Sequence, residues 1–471
     1  MWNMAFSGNV FIFMFLPIFF ILYAALPKIA RKGWLLLASL FFYAWGNPSV
    51  LYVLSVSIII NYTGGLFLKR FNERNAHFLF AICIIFNVSL LFCLKYLNFT
   101  ISNFNFITGQ NLVLMNIIQP IGISFYTFKG ISYLADIYND KIRAEKNLLN
   151  FALYMSIFPE VMEGPIDRYG DISKQFSNAS ITVDGFVKGI ERFSIGLTKK
   201  VLLSDTMGVL ADSVYSIGYS QNGSATAWVG AIAYMLQIYF DFSGYTDMAI
   251  GIGNMMGYHF TENFDYPYTA VGITDFWRKW HMSLTKWFRD YIYIPMGGNR
   301  KGFGRQVINM FVVWLLTGFW HGASWNFVFW GLWNFIFLLI EKILLKKKKP
   351  HGFFKIMMWA GTMLVVLLGW VFFRADNLPN AFGTIGVMFG FIHPSNVGFS
   401  VFWYLNRKNL FIMILAILTC IPWKQIVPQF KYLFESITGH VLKAVLCLGL
   451  MCLNVLLVMN STYQSFIYFK F

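Results

Sequence analysis

Charged residues are scarce in this sequence of 471 amino acids. Lys, Arg, Asp and Glu together make up 12% of the chain, whereas hydrophobic residues make up 57% and aromatic residues 20%. A soluble domain needs a polar surface over its core, and no stretch of the chain is polar for long enough to supply one. The composition therefore excludes a soluble multidomain protein and indicates that the lipid bilayer is the solvent of the chain.

Cysteines and internal repeats are also sparse. The five cysteines fall within apolar runs and lack the C-x-x-C spacing of a metal or redox motif. The sequence therefore predicts neither a disulfide framework nor a metal site. No internal repeat is evident, which argues against an inverted-repeat transporter.

Apolar runs recur along the whole chain and are continuous, as in Val50–Leu68 and Phe354–Phe373. Continuous runs of about 20 residues are typical of transmembrane helices, whereas strands of a membrane barrel alternate with a period of two. We predict an all-α polytopic membrane protein with one membrane domain over residues 1–471. Helical spans, some of them re-entrant, are expected near residues 9–26, 34–46, 50–68, 78–94, 112–135, 148–165, 186–217, 225–256, 307–340, 354–373, 380–392, 408–423 and 440–460.

The formal net charge of +16 comes from short basic clusters at the ends of apolar runs. Clusters such as Lys28–Lys32, Lys69–Arg74 and Lys346–Lys349 are typical of cytoplasmic helix ends that contact anionic lipid, and not of nucleic-acid binding. No Lys or Arg precedes Lys28, so we expect the first apolar run to be retained as an anchor with its N-terminus outside. The expected location is the plasma or inner membrane.

The segment Phe276–Pro295 combines aromatic and basic residues at helical spacing. At about 100° per residue, one predicted face differs sharply from the other. The first face carries Trp277, Trp280, Leu284, Trp287, Tyr291 and Ile294, and the second carries Arg278, Lys279, Lys286, Arg289 and Asp290. We predict one helix lying in the membrane interface, whose four basic residues have a second possible use in attracting an anionic acyl donor. His281 lies at the border of the two faces, where it either points into a cavity or makes a structural hydrogen bond.

His321 is a titratable residue inside the apolar run Val313–Phe327, between Gly318 and Gly322. A histidine in such a run is costly, which favours a functional role over a structural one. Burial should keep the imidazole neutral, the form that accepts a proton from a hydroxyl, so we predict a general base. Candidate polar or aromatic lining near it is supplied by Thr317, Trp320, Ser324 and Asn326.

A further polar group occurs in the apolar stretch before residue 250, namely Asp241, Ser243, Tyr245 and Asp247. Carboxylates in such a context need partners. The group is interpreted either as part of a substrate or ion path or as a set of structural ion pairs with Arg or Lys.

Several stretches taken in order resemble the membrane-bound O-acyltransferase superfamily, specifically its alginate O-acetyltransferase (AlgI-like) branch. They are spread over most of the chain, which makes the resemblance specific. They are Phe6–Phe11, Ser39–Gly46, Pro120–Phe128, Gly196–Val201, Phe240–Asp247, Trp277–Arg300, Trp320–Gly322 and Trp370–Ala375.

The resemblance implies a bundle of about eleven or more helices around a central tunnel that opens on both membrane faces. It implies that His321 matches the catalytic histidine and His281 the second polar residue of the site. The donor would be a cytoplasmic acyl thioester such as acetyl-CoA, with no bound cofactor. The acceptor would be a hydroxyl of an exported polysaccharide, reached directly or through an extracytoplasmic acetyltransferase partner.

Two departures from the family pattern occur. Lys129 stands where glutamine is expected, and Glu160, Glu163 and Asp167 make the stretch after Pro159 unusually acidic. Two other functions remain open: D-alanyl transfer to teichoic acid, and transport or flipping of lipid-linked sugars without catalysis.

Overall fold

The computed structural model describes residues 4–345, 351–427, 436–460 and 463. Within these ranges the regular elements are all helical and no strand occurs, which confirms the all-α fold class. The helices in the first half of the chain are α1 (Leu16–Ala25), α2 (Lys28–Ala44), α3 (Val50–Leu68), α4 (Glu73–Leu91), α5 (Leu97–Thr108), α6 (Ile123–Tyr138), α7 (Leu148–Ser156), α8 (Phe158–Val161), α9 (Tyr169–Ile172), α10 (Gln175–Asn178), α11 (Val183–Thr198) and α12 (Asp205–Tyr215).

The second half of the chain continues in the same way. Its helices are α13 (Ser224–Met256), α14 (Ile273–Lys279), α15 (Met282–Phe288), α16 (Phe303–His321), α17 (Trp325–Leu345), α18 (Gly352–Arg374), α19 (Leu378–Met388), α20 (Val401–Tyr404), α21 (Arg407–Thr419), α22 (Trp423–Ile426) and α23 (Ile437–Asn460). Short π-helical turns precede α1, join α4 to α5 and α11 to α12, and extend α15.

Five of the described helices are long and apolar enough to cross a membrane. They are α3, the continuous helix Glu73–Thr108, α17, α18 and the Val441–Asn460 part of α23. The chain is therefore a multi-pass membrane protein, as predicted. The basic cluster at Lys28 lies at the start of α2 and the one at Lys69 directly follows α3, while Lys346–Lys349 lies outside the described residues.

The predicted span 112–135 is wrong in its first part, because the helix there begins only at Ile123. The preceding segment is extended and held along α5 by two asparagines. The Asn98 amide donates to Met115 O (2.8 Å) and accepts from Met115 N (2.9 Å). Asn105 makes the same pair of bonds with Leu112, at 2.9 Å each. These side chains satisfy the backbone groups that a helix would otherwise pair internally.

Contacts divide the chain into two compact units. The first comprises Met1–Phe193 and Tyr245–Glu262, and the second comprises Ser194–Gly244 and Asn263–Phe471. Two of the boundaries fall inside α11 and α13. One membrane domain over residues 1–471 stays a prediction.

The first unit buries both aromatic rings and charges. The Phe158 ring lies 5.2 Å from Phe19 and 5.4 Å from Phe15. The predicted span 148–165 is broken after Ser156, and the acidic stretch that follows is packed inside the unit: Glu160, Glu163 and Asp167 are each 3% exposed or less. Such burial requires partners: Lys129 Nζ lies 2.5 Å from Glu160, and Asp167 accepts from Thr261 N (3.3 Å).

The second unit contains the helix pair α16 and α17, which pack through glycine. A Cβ atom at Gly318 would lie 2.5 Å from Phe327 O, and one at Gly331 would lie 2.4 Å from Trp314 O. The two backbones are therefore in direct contact, which only glycine permits. The predicted span 307–340 is wrong as one helix, because the chain breaks between His321 and Trp325.

Candidate active site

His281 occupies a break in the segment predicted as one helix over residues 276–295. Its φ of +44° lies in the left-handed region, so α14 ends at Lys279 and α15 begins at Met282. The break has a local cause in Asn263, whose backbone carbonyl accepts from Met282 N (2.9 Å). Asp265 N donates to Lys279 O (3.0 Å) from the same loop. A continuous helix would use these groups internally.

The two predicted faces persist only in part, because Ile294 of the apolar face is 53% exposed. Trp280, Leu284 and Trp287 are each 5% exposed or less, whereas Arg278, Lys286 and Arg289 are exposed. The basic side chains thus have access to solutes or lipid headgroups.

The His281 side chain is 2% exposed. Its Nδ1 lies 3.0 Å from Asn263 Oδ1, and the edge of its ring faces Phe242 at 4.6 Å between centroids. The residue lies outside the five candidate spans, and burial lowers the pKa of its imidazole to about 3. His281 is therefore neutral at physiological pH.

His321 is the last residue of α16 and is 7% exposed. Aromatic rings surround it: ring centroids lie 4.6 Å away at Trp320, 4.8 Å at Trp330 and 5.0 Å at Phe373. The backbone leaves the helix immediately afterwards, because Gly322 is extended. The side chain is thus held at a helix end by packing against flat apolar surfaces.

Both histidines line one cavity with a volume of about 1180 Å³ in the second unit. The Trp320 ring contacts both, at 6.0 Å from His281 and 4.6 Å from His321. Among the other predicted site residues, Thr317, Arg278 and Arg289 also line the cavity. Lys279, Lys286, Trp320, Ser324, Asn326, Asp241, Ser243 and Tyr245 are not part of its lining.

Those remaining candidates have contacts of their own. Asn326 donates to Ala375 O, and Ser324 Oγ accepts from Asn326 N (3.2 Å) at the start of α17. Lys279 pairs with Asp275 (3.4 Å). These contacts are typical of structural side chains.

The group near residue 241 is also tied into local packing. Lys200 Nζ lies 2.6 Å from Asp241 and 2.8 Å from Asp205, and all three side chains are buried. In the first unit, the Tyr245 ring stacks on Phe6 at 4.6 Å, and Arg192 lies 2.7 Å from Asp247. The geometry favours the interpretation as structural ion pairs; Ser243 is buried beside them in sequence.

Several residues of the site were not predicted. Lys342 and Glu341 line the cavity from the end of α17. The basic run that follows this apolar segment was the sequence pattern that could have indicated a role for Lys342. Glu341 accepts from Thr274 N (3.2 Å), which ties α17 to the start of α14. No sequence pattern indicated Asn263, because an asparagine in a loop does not reveal contact with a histidine 18 residues away.

The cavity lining combines Arg278, Arg289 and Lys342 with Asp275 and Glu341. Cations outnumber anions by three to two, and the walls are otherwise largely aromatic and aliphatic. A neutral imidazole such as that of His281 beside such a space is suited to accept a hydrogen bond from a bound molecule.

Comparison with known proteins gives concordant matches. The model of the membrane-bound O-acyltransferase family matches residues 49–378. "Probable alginate O-acetylase AlgI" of Pseudomonas syringae pv. tomato is 43% identical over 394 residues, which cover 82% of this chain and 76% of the relative. The protein of the same name from Pseudomonas aeruginosa is 42% identical, over 86% of this chain and 78% of its own length. The peptidoglycan O-acetyltransferase of Helicobacter pylori is 34% identical, over 99% of this chain and 97% of its own length.

Proposed function

Because this chain belongs to the membrane-bound O-acyltransferase family and is an O-acyltransferase, we propose that it moves acetyl from a cytoplasmic thioester to an exported polysaccharide. The donor is acetyl-CoA or a related acyl thioester, bound as a substrate. The acceptor hydroxyl lies at the opposite face of the plasma or inner membrane. The observation that carries the proposal is the meeting of His281 and His321 on one cavity.

His321 acts as the general base. Its neutral imidazole takes the proton of the acceptor hydroxyl as the hydroxyl oxygen attacks the thioester carbonyl carbon. A C–O bond forms and the C–S bond breaks, and the departing thiolate receives the proton from the imidazolium. The products are an O-acetyl ester and a free thiol. His281 either orients the acyl carbonyl or supports the acceptor side of the reaction.

The basic residues at the cavity supply the attraction for the donor. Arg278, Arg289 and Lys342 line it, and thioester donors of this class carry phosphate groups. Lys279 and Lys286 belong to the same basic surface without lining the cavity. Attraction between exposed groups of this kind is long-ranged and sensitive to salt.

The names of the relatives, which specify alginate and peptidoglycan, support a polysaccharide acceptor. We propose a hydroxyl of an exported polysaccharide as the final acceptor. Transfer proceeds directly or through an extracytoplasmic acetyltransferase partner whose own hydroxyl carries the acetyl group first. The surrounding bilayer lipids are the other constant partners.

Thiol release tests the proposal. Purified protein in lipid nanodiscs is mixed with acetyl-CoA and with alginate oligomers or peptidoglycan fragments, and free thiol and acetylated product are measured. We expect release that requires both protein and acceptor, and that is lost in His321→Ala but kept in His393→Ala, a variant of an exposed histidine. Equal thiol release with and without these acceptors contradicts direct transfer to them. No thiol release from any acyl thioester, even when a cell-envelope fraction that contains extracytoplasmic partners is added, contradicts the proposal as a whole. Movement of lipid-linked sugar without thiol release indicates a transporter.

A further inference from the structure

Asn263 is a fully buried residue that the mechanism above does not use. It lies in the loop before α14 and reaches the start of α15 with both of its carbonyl groups. Its backbone oxygen accepts from Met282 N (2.9 Å), and its side-chain oxygen points at Ser283 and at His281. Asn263 therefore holds the left-handed turn in which His281 sits.

Three groups converge on the Asn263 side-chain oxygen. Ser283 N lies at 3.2 Å, Ser283 Oγ at 2.9 Å and His281 Nδ1 at 3.0 Å. A backbone N–H only donates, so the atom that faces Ser283 N has to be the oxygen and not the amide nitrogen. That assignment leaves His281 Nδ1 facing an acceptor, and Nδ1 therefore carries the hydrogen.

A neutral imidazole has one N–H, so a proton on Nδ1 leaves a lone pair on Nε2. His281 Nε2 is buried and has no hydrogen-bond partner among the residues that the structure describes. The residue lines the cavity. We infer that His281, a residue of the cavity wall, keeps an unprotonated Nε2 as its hydrogen-bond acceptor, and that Asn263 is the positioning residue that fixes this tautomer.

This inference rests on the proposed function and narrows the role of His281 within it. An acyl carbonyl is only an acceptor, so an Nε2 without hydrogen cannot orient it. A hydroxyl of the acceptor does donate. His281 therefore binds the acceptor and not the acyl group, while the proton of the reacting hydroxyl passes to His321. Loss of the His281 contact weakens the binding of the acceptor.

The tautomer is measured without any assay of activity. Protein with ¹⁵N-labelled histidine in nanodiscs gives separate imidazole nitrogen signals, and His281→Gln identifies those of His281. We expect a protonated Nδ1 and an unprotonated Nε2 in the wild type. In Asn263→Leu, which keeps bulk but removes the oxygen, we expect a mixture of tautomers. A protonated Nε2 in the wild type overturns the inference, even if acetyl transfer is normal.

Kinetics supply the second arm. Asn263→Ala should raise the acceptor KM by up to about tenfold and leave the donor KM unchanged, because one hydrogen bond to the acceptor is misplaced. Asn263→Asp keeps an oxygen for all three donors and serves as the conservative variant. Equal changes in donor and acceptor KM in Asn263→Ala, or no rescue by Asp at any pH, contradict the positioning role.

The aspartate variant also predicts a pH dependence. A carboxylate beside Nδ1 favours the imidazolium, so the pKa of His281 rises by about 1–3 units. Nε2 then carries a proton below the raised pKa, and acceptor binding is lost as the pH falls through it. Wild-type protein, with a His281 pKa of about 3, lacks this acidic limb in the working range. If acceptor binding by Asn263→Asp does not weaken as the pH falls, the inference is contradicted.

Discussion

Two buried polar regions of the molecule differ in how their groups are satisfied. In the first unit, Lys129 Nζ lies 2.5 Å from Glu160 and 3.0 Å from Tyr154 O. In the second unit, His281 and His321 are similarly buried but face a cavity of about 1180 Å³. Burial of a titratable side chain is common to both regions and does not identify a site. The histidines differ because they face space that a substrate can fill.

The largest expected effect is on the histidine region. His321→Ala should lower acetyl transfer per folded molecule by about 10²–10⁴-fold, because a positioned general base contributes that much. Turnover is measured on protein that inserts into the membrane normally and elutes as a single peak in size-exclusion chromatography, with His393→Ala as the matched control. Retention of more than about a tenth of wild-type turnover would rule out a general base.

The ionic region should respond in stability instead. Lys129→Gln or Glu160→Gln alone leaves a buried partner unpaired and should cost about 3–5 kcal/mol of stability, whereas the double variant Lys129→Gln with Glu160→Gln should recover most of it. Thermal unfolding in detergent measures the difference, and activity per folded molecule should stay near wild type. A double variant as unstable as either single variant would mean that the two groups do not compensate each other.

The smallest expected effect is a difference in donor KM between two double variants, each of which removes two positive charges. Arg278→Gln with Arg289→Gln removes two cations from the cavity lining and should raise the donor KM several-fold, whereas Lys279→Gln with Lys286→Gln should do so less. The difference should shrink at high salt, because attraction between exposed charges is screened over about 10 Å at 0.1 M. Donor KM at two salt concentrations measures it, and equal, salt-independent effects of both pairs would contradict a role of the lining.

Continuous apolar runs predicted the helical fold, because the length and apolar content of a run are enough to indicate a membrane span. They placed Val50–Leu68 and the end of α18 correctly. They missed the extended segment at Leu112, where asparagine side chains take the place of helix hydrogen bonds. Whether side chains take over these backbone hydrogen bonds depends on residues outside the apolar run itself, here Asn98 and Asn105 of α5.

The site was predicted unevenly for the same reason. His281 and His321 were predicted from a motif resemblance together with the cost of placing a histidine in an apolar run; both line one cavity, and their catalytic roles stay predictions. The break at His281 was missed, because the helical pattern of residues 276–295 is continuous and only Asn263 interrupts it. Asp241 was included among the tunnel candidates although Lys200, 41 residues earlier, neutralises it.

The glycine contact between α16 and α17 has a consequence for how the chain tolerates sequence change. The relative height of the two helices is set by backbone atoms meeting at Gly318 and Gly331, together with ring contacts such as that of Phe311 with Phe335 at 5.5 Å. Residues on the outer faces of this pair are therefore free to vary with the lipids around them without shifting His321 at the end of α16. By contrast, one added methyl group at either glycine would push the helices apart and move the histidine with them.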